Sequence, residues 1–187
     1  MASVDFFYDI GSPYSYLAAT QIHGLSQRSG TPIHWRPFLL GGVFKAVGNK
    51  APATVPARAR YMLHDLTRWA ASYQIDIRFP SRFPMNTLLA MRALTAMPEQ
   101  DRREASLALF TAYWVDDQDL TQPEAVASII WADPVAAATD PAVKTALRAT
   151  TDEAVARGAF GAPTLFVGDQ MFFGNDRLHF AEAAMKS

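Results

Sequence analysis

The stretch Val4-Asp5-Phe6-Phe7-Tyr8-Asp9-Ile10-Gly11-Ser12-Pro13-Tyr14-Ser15-Tyr16-Leu17-Ala18 changes period at a single turn. A continuous apolar run, which reads as a buried strand, gives way to apolar positions spaced by three and four: Tyr14, Leu17, Ala18, Ile22 and Leu25. Ser12 is a preferred N-cap type, and Pro13 suits the first helical position, where the missing N–H is not needed and φ is already helical. The helix therefore starts here and ends near Ser29-Gly30, lying with one face on a sheet. Ser12 has two readings. It is a cap and nothing more, or it is a cap at a site for negative charge, because unpaired N–H groups and the positive end of the helix dipole converge there.

The order of the remaining elements narrows the fold. Residues 32–40 read as a second strand, parallel to the first because a helix separates them, which makes a right-handed βαβ start. Gly41-Gly42 closes it, and 44–56, with Gly48, Asn49, Pro52 and Pro56, reads as an ordered loop without regular structure. From Ala57 the period is helical for about a hundred residues. Tyr61, Met62, Leu66, Trp69, Ala70 and Tyr73 form the first stripe, and Pro80 to Pro84 break it. Further helices are predicted over 86–96, 100–115, 123–131 and 141–158, with Asn86 as an N-cap, Asp140-Pro141 as a start and Gly158 as a stop. Strand chemistry returns at 163–167 and 170–173, joined by Gly168-Asp169 as a hairpin loop; Asn175 and Asp176 then cap a last helix that turns Leu178, Ala181 and Met185 inward. The order β-α-β, helical block, β-β-α is an α/β thioredoxin-like fold with an all-helical insertion. Residues 1–45 and 159–187 form the thioredoxin-like domain and 46–158 the insertion.

Composition excludes several functions. With 17 basic against 18 acidic side chains in 187 residues, and no basic cluster beyond Arg58-Ala59-Arg60, there is no footprint for nucleic acid or an anionic membrane. That arginine pair reads as a solvated helix face. No run approaches the ~20 apolar residues of a membrane span, and Met1 leads straight into strand pattern, so a cytoplasmic enzyme or binding protein is expected. His23, His34, His64 and His179 lack metal-site spacing, and Asp116-Asp117-Gln118-Asp119 lacks the glycine and terminal glutamate of a calcium loop and reads as a solvated turn. Trp35, Trp69, Trp114 and Trp131 read as core. The absence of cysteine excludes disulfides, thiolate metal sites and chemistry by a protein-borne thiol.

Three motifs, in this order, carry a resemblance that spans nearly the whole chain: Phe7 to Ala18 at the start, Asp65-Leu66-Thr67-Arg68-Trp69-Ala70 in the helical block, and Phe160-Gly161-Ala162-Pro163-Thr164-Leu165-Phe166-Val167-Gly168-Asp169 with Phe173-Gly174-Asn175-Asp176-Arg177-Leu178 at the end. The chain resembles the 2-hydroxychromene-2-carboxylate isomerases, relatives of the kappa-class glutathione transferases and of DsbA-type disulfide oxidoreductases. In the oxidoreductases the first turn holds a Cys-x-x-Cys pair; here Ser12 and Ser15 stand in its place, so sulfur chemistry must come from a ligand. The resemblance implies glutathione as that ligand, with Ser12 at its thiol. It implies a cis bond between Ala162 and Pro163, with the Ala162 backbone pairing the cysteinyl unit of glutathione in strand fashion, and Phe173, Gly174, Asn175 and Asp176 at the γ-glutamyl end. Gly48 and Asn49 lie in a stretch similar to the family's substrate loop, and Asn86 matches an asparagine lining the same cavity; Arg58 and Arg92 are candidate partners for a substrate carboxylate. Without the resemblance, Ala162-Pro163 reads as a trans proline opening a strand, Asp176 as an N-cap, and both arginines as solvated. The implied activity is glutathione-dependent cis-trans isomerisation between 2-hydroxychromene-2-carboxylate and trans-o-hydroxybenzylidenepyruvate, in naphthalene-type catabolism, by a cytoplasmic homodimer. The alternatives are a kappa-like transferase conjugating electrophiles and a non-catalytic glutathione-binding protein.

Overall fold

The computed structural model describes residues 4–187. Its sheet has four strands in the order β2-β1-β3-β4. β1 (Val4–Tyr8) pairs in parallel with β2 (His34–Pro37) and antiparallel with β3 (Thr164–Val167), and β3 continues into the hairpin partner β4 (Gln170–Phe173). The helical period of the first turn becomes α1 (Pro13–Ser29), closed by Gly30 in the left-handed conformation at φ 69°. The crossover from β1 through α1 to β2 and the closing hairpin are those expected for a thioredoxin-like sheet.

Alternation along β1 divides the core. Phe6 and Tyr8 share one face with Trp35, and Phe110 of α5 (Glu99–Trp114) reaches Tyr8 and Tyr16 from the helical block. Phe7 points the other way, against Phe38 and Phe166, where Val43 and Ala154 close a second cluster. One core thus runs from the sheet into the helices, since Leu94, Leu109, Tyr113, Trp114 and Val126 belong with Phe6 and Tyr8. Each large side chain buried there is worth roughly 1.5–3 kcal/mol. On the Phe7 face the buried Asp5 carboxylate is held by Arg36 and Arg157, and the Arg157 guanidinium lies 3.9 Å from the Phe166 ring centroid.

The helical block consists of α3 (Pro56–Tyr73), α4 (Leu88–Ala96), α5, α6 (Pro123–Ile130), α7 (Ala132–Ala137) and α8 (Pro141–Ala156), and α9 (Leu178–Met185) ends the chain. Asp140 caps α8 by accepting the Ala142 N–H at 2.7 Å. Of the predicted stripe on α3, Met62, Leu66 and Ala70 are buried, but Tyr61 is 61% exposed. Among the described residues no helix is long and apolar enough to cross a membrane.

Several expectations are corrected. The second strand is shorter than 32–40, and much of the expected loop 44–56 is helix: α2 (Leu40–Val47), then a short 3-10 helix (Pro52–Thr54). Two glycines at its start argue against α2 by propensity; tertiary contacts override them, because the Leu39 N–H bonds Thr151 Oγ1 and the Leu40 N–H bonds Asp9 Oδ2. Helix α7 has no counterpart among the predicted helices, and Trp131 before it is 54% exposed rather than core, at φ 62°. Asn175 and Asp176 do not cap α9 directly but form a 3-10 turn (Asn175–Arg177) leading into it. Thr87, not Asn86, occupies the cap position of α4, although Asn86 Oδ1 does accept the Leu88 N–H at 3.0 Å.

Candidate active site

Ser12 sits at the corner between β1 and α1 because Asp9 to Ser12 is a closed turn: the Ser12 N–H bonds the Asp9 carbonyl at 3.0 Å. The hydroxyl does two things. It accepts the Ser15 N–H at 3.1 Å, as an N-cap should, and it donates to the Ala162 carbonyl at 3.1 Å, across 150 residues of sequence. Ser12 is 3% exposed and Ser15 is fully buried, its hydroxyl without a partner among the described residues. The two serines at the Cys-x-x-Cys positions are therefore not equivalent, and only Ser12 bridges to the facing loop.

The Ala162-Pro163 bond is cis. The Pro163 carbonyl accepts the Gly174 N–H at 3.0 Å, which joins this loop to the segment after β4. Gly174, at φ 94°, holds a backbone conformation that would strain any residue with a side chain, and a Cβ there would also displace Asp176 Oδ1, 2.5 Å away. A Cβ on Gly161 would lie 2.8 Å from the Phe173 ring, so a side chain there would require that ring to shift. Asn175 is buried, and its carbonyl accepts the Tyr73 hydroxyl at 3.0 Å. The Asp176 carboxylate pairs with Arg177. A surface cavity of about 240 Å³ opens beside this turn, lined by Asn175 and Asp176 together with Trp69, Tyr73, Gln21 and Arg28.

Tyr14, in the first turn of α1, donates its hydroxyl to Asp65 Oδ2 at 2.9 Å. Burial and then the Asp65 carboxylate push this phenol upward, so it remains a donor at neutral pH. The turn itself is clamped from below: the Trp114 indole N–H bonds the Ile10 carbonyl at 2.8 Å, and Phe79 and Phe83 pack on Trp114. The segment that carries those phenylalanines is held in turn by Asp117, which accepts both the Ser81 N–H and its hydroxyl.

The residues expected to meet the second substrate are placed unevenly. Gly48 ends α2 at φ 68°, and Asn49 comes next with its Nδ2 donating to the Phe160 carbonyl at 3.2 Å, so the loop does reach the segment leading to Ala162. Arg58 and Asn86 are exposed, Arg58 in the first turn of α3 and Asn86 engaged in its own local turn. Arg92 is half-buried on α4, with its Nε buried and unpartnered among the described residues. Sequence reasoning missed Asp9, Thr87 and Trp114 as supports of the turn. An acid ending an apolar strand just before a glycine is the one signal that was available, since such a side chain commonly bonds backbone two residues on.

A family model described as a DSBA-like thioredoxin domain matches residues 3–186, and the chain belongs to that family. Within it the chain is 35% identical to the 2-hydroxychromene-2-carboxylate isomerase of Sphingobium xenophagum, over 97% of this chain and 96% of that one. It is 33% identical to glutathione S-transferase kappa 1 of Homo sapiens, over 94% of this chain and 87% of that one. A solved structure of a 2-hydroxychromene-2-carboxylate isomerase superposes with a TM-score of 0.86 at 30% identity, covering 97% and 93% of the two chains. The chain is thus an enzyme of the isomerase branch of the family, with the kappa transferases as near relatives.

Proposed function

We propose that this protein is a glutathione-dependent cis-trans isomerase acting on 2-hydroxychromene-2-carboxylate and its open-chain isomer, trans-o-hydroxybenzylidenepyruvate, in cytoplasmic, naphthalene-type catabolism. The observation that carries the reading is the Ser12 hydroxyl at a helix N-terminus, bridging to the Ala162 carbonyl beside a cis proline, in a chain without cysteine. The donor set suits glutathione. Ser12 Oγ would turn from Ala162 to the ligand sulfur, releasing the Ala162 backbone for the cysteinyl unit; the cavity beside Asn175 and Asp176 has room and charge for an amino-acid end. Bound glutathione supplies a thiolate that adds reversibly to the conjugated carbon, so that a locked double bond becomes a rotatable single one.

The chain's part is to keep that sulfur ionised and the acid in place. Ser12 donates a hydrogen bond to the thiolate, and the positive end of α1 favours its charge; protein thiols in such settings fall from ~8.5 to roughly 3.5–7.5. Ser12 thereby stabilises a nucleophile without being one. Asp176 takes the γ-glutamyl ammonium, Phe173 and Gly174 shape that end, and Pro163 keeps the loop extended. Gly48, Asn49, Arg58 and Asn86 meet the aromatic acid, with Arg58 at its carboxylate. The protein works as a homodimer.

The deciding assay follows the absorbance of the two isomers with and without glutathione, for wild type and Ser12→Ala. Interconversion that requires glutathione and falls at least ~10-fold in the variant supports the reading, a change of about 1.4 kcal/mol in transition-state stabilisation. No interconversion sinks the substrate assignment. The 33% identity to a kappa transferase favours a second reading, conjugation of electrophiles, and net consumption of thiol with stable sulfur adducts would put it first.

A further inference from the structure

The Asp9 carboxyl lies at a junction that the proposed chemistry leaves unused. It is 2% exposed, and three donors converge on its two oxygens: the Gly11 N–H at 2.9 Å and the Thr87 hydroxyl at 2.8 Å on Oδ1, and the Leu40 N–H at 2.9 Å on Oδ2. The first belongs to the Ser12 turn, the second to the start of α4, the third to the first residue of α2. A backbone N–H donates to each oxygen and cannot accept a hydrogen bond, so this set fits a carboxylate and leaves no place for the NH₂ of an asparagine. The Gly11 and Leu40 N–H groups and the Thr87 hydroxyl favour the charge, which offsets part of the desolvation that pushes the Asp9 carboxyl upward.

The contacts continue into a ring. From Asp9 the chain runs through α2 to Gly48 and Asn49; Asn49 Nδ2 holds the Phe160 carbonyl; two residues on, the Ala162 carbonyl accepts the Ser12 hydroxyl; and the Ser12 N–H returns to the Asp9 carbonyl. Space at the junction is tight as well, since a Cβ on Gly11 would lie 3.2 Å from Thr87 Cγ2 and 3.4 Å from Asp9 Oδ1. We propose that Asp9 is the positioning residue of this site: its carboxylate sets the Ser12 turn directly and the Asn49 loop through α2, so that the thiol side and the aromatic-acid side are held by one buried group. This rests on the reading of Ser12 as the thiol-binding hydroxyl.

A bare charge effect has the opposite signature. Removing a buried anion near a thiolate favours the thiolate, whereas losing the alignment of Ser12 disfavours it. Because Asp9→Asn disturbs a fully buried network and can fail to fold, Thr87→Val is the deciding variant; it deletes one donor and leaves both backbone bonds. The measurements are amide hydrogen exchange on the ligand-free full chain and a pH titration of the thiolate absorbance of bound glutathione. Expected in Thr87→Val is exchange faster by ~10-fold at residues 9–15 and at both ends of α2, with the β3–β4 hairpin unchanged. The bound thiol should titrate at higher pH than in wild type, and Asp9→Asn, where it folds, should move further in the same direction. Faster exchange confined to 86–88, or a thiol that titrates unchanged or lower, overturns the proposal. If wild type binds no glutathione, the functional reading fails, while the exchange pattern still decides whether Asp9 couples the two ends of α2.

Discussion

The two halves of the candidate site are built differently. On the proposed thiol side Ser12, Ala162, Pro163, Asn175, Ile10 and Trp114 are buried, and each tie ends on a backbone carbonyl: the Ser12 hydroxyl on Ala162, the Gly174 N–H on Pro163, the Tyr73 hydroxyl on Asn175, the Trp114 indole on Ile10. On the aromatic-acid side Asn49, Arg58 and Asn86 are exposed, and among the described residues the Asn49 bond to Phe160 is the side-chain hydrogen bond that ties them to the cis-proline loop. A corner whose acceptors are buried backbone carbonyls tolerates little change, because those acceptors cannot be moved without moving the fold. A wall made of exposed side chains can be exchanged at small cost. That contrast accounts physically for one scaffold serving relatives named as isomerases and as transferases.

The comparison breaks most visibly at Trp114. Its side chain is fully buried and holds the Ile10 carbonyl, so Trp114→Ala should lower the unfolding free energy by about 3–5 kcal/mol in denaturant titrations. A loss below about 1 kcal/mol would mean that the thiol side is no more rigid than the other. Next comes Ser12→Ala, which should lower kcat/KM at least ~10-fold while removing only about 1 kcal/mol of stability as a lost helix cap.

Asn49→Ala sharpens the contrast from the exposed side. It should raise KM for the aromatic acid by about three- to tenfold, in line with one hydrogen bond, and leave glutathione affinity unchanged by calorimetry. If glutathione affinity falls equally, the two sides are not separable. Arg58→Ala should change stability by no more than about 0.5 kcal/mol, with a rise in KM for the acid as its only kinetic effect.

The smallest effect concerns α9, which braces the outer side of α1. Arg28 and Lys186 pull the Glu182 carboxyl from its ordinary 4.5 to about 2. A lowered folded-state value stabilises the protein above about pH 4.5, and the contribution is lost as pH falls towards 2. Glu182→Gln should therefore flatten that part of the curve of melting temperature against pH, and an unchanged curve would show that these ion pairs contribute nothing.

Sequence alone supported the corner, the parallel crossover and the closing hairpin, since each rests on local chemistry: Ser12-Pro13 at a change of period, and Gly168-Asp169 between two apolar runs. It misjudged the regions where local and tertiary preference disagree. A glycine pair at a strand end reads as a stop, yet Gly41 and Gly42 are helical because Asp9 and Thr151 satisfy the first N–H groups of α2 from outside. Trp131 reads as core from its apolarity, but its position between α6 and α7 leaves it half in solvent.

The candidate site divides along the same line. Ser12 is legible from its own turn and cap chemistry, whereas Pro163 and Asp176 are singled out by the resemblance alone, since local chemistry reads them as a trans proline and an N-cap. What the sequence by itself determined was therefore the class of fold, the absence of a protein thiol and the hydroxyl left in its place. What only the tertiary structure decided was which serine bridges to the cis-proline loop, and that Gly11, Thr87 and Leu40 meet as donors at the Asp9 carboxylate. The physical reason is separation along the chain. Those donors come from three elements, and no local pattern encodes a hydrogen bond whose partners the fold alone brings together.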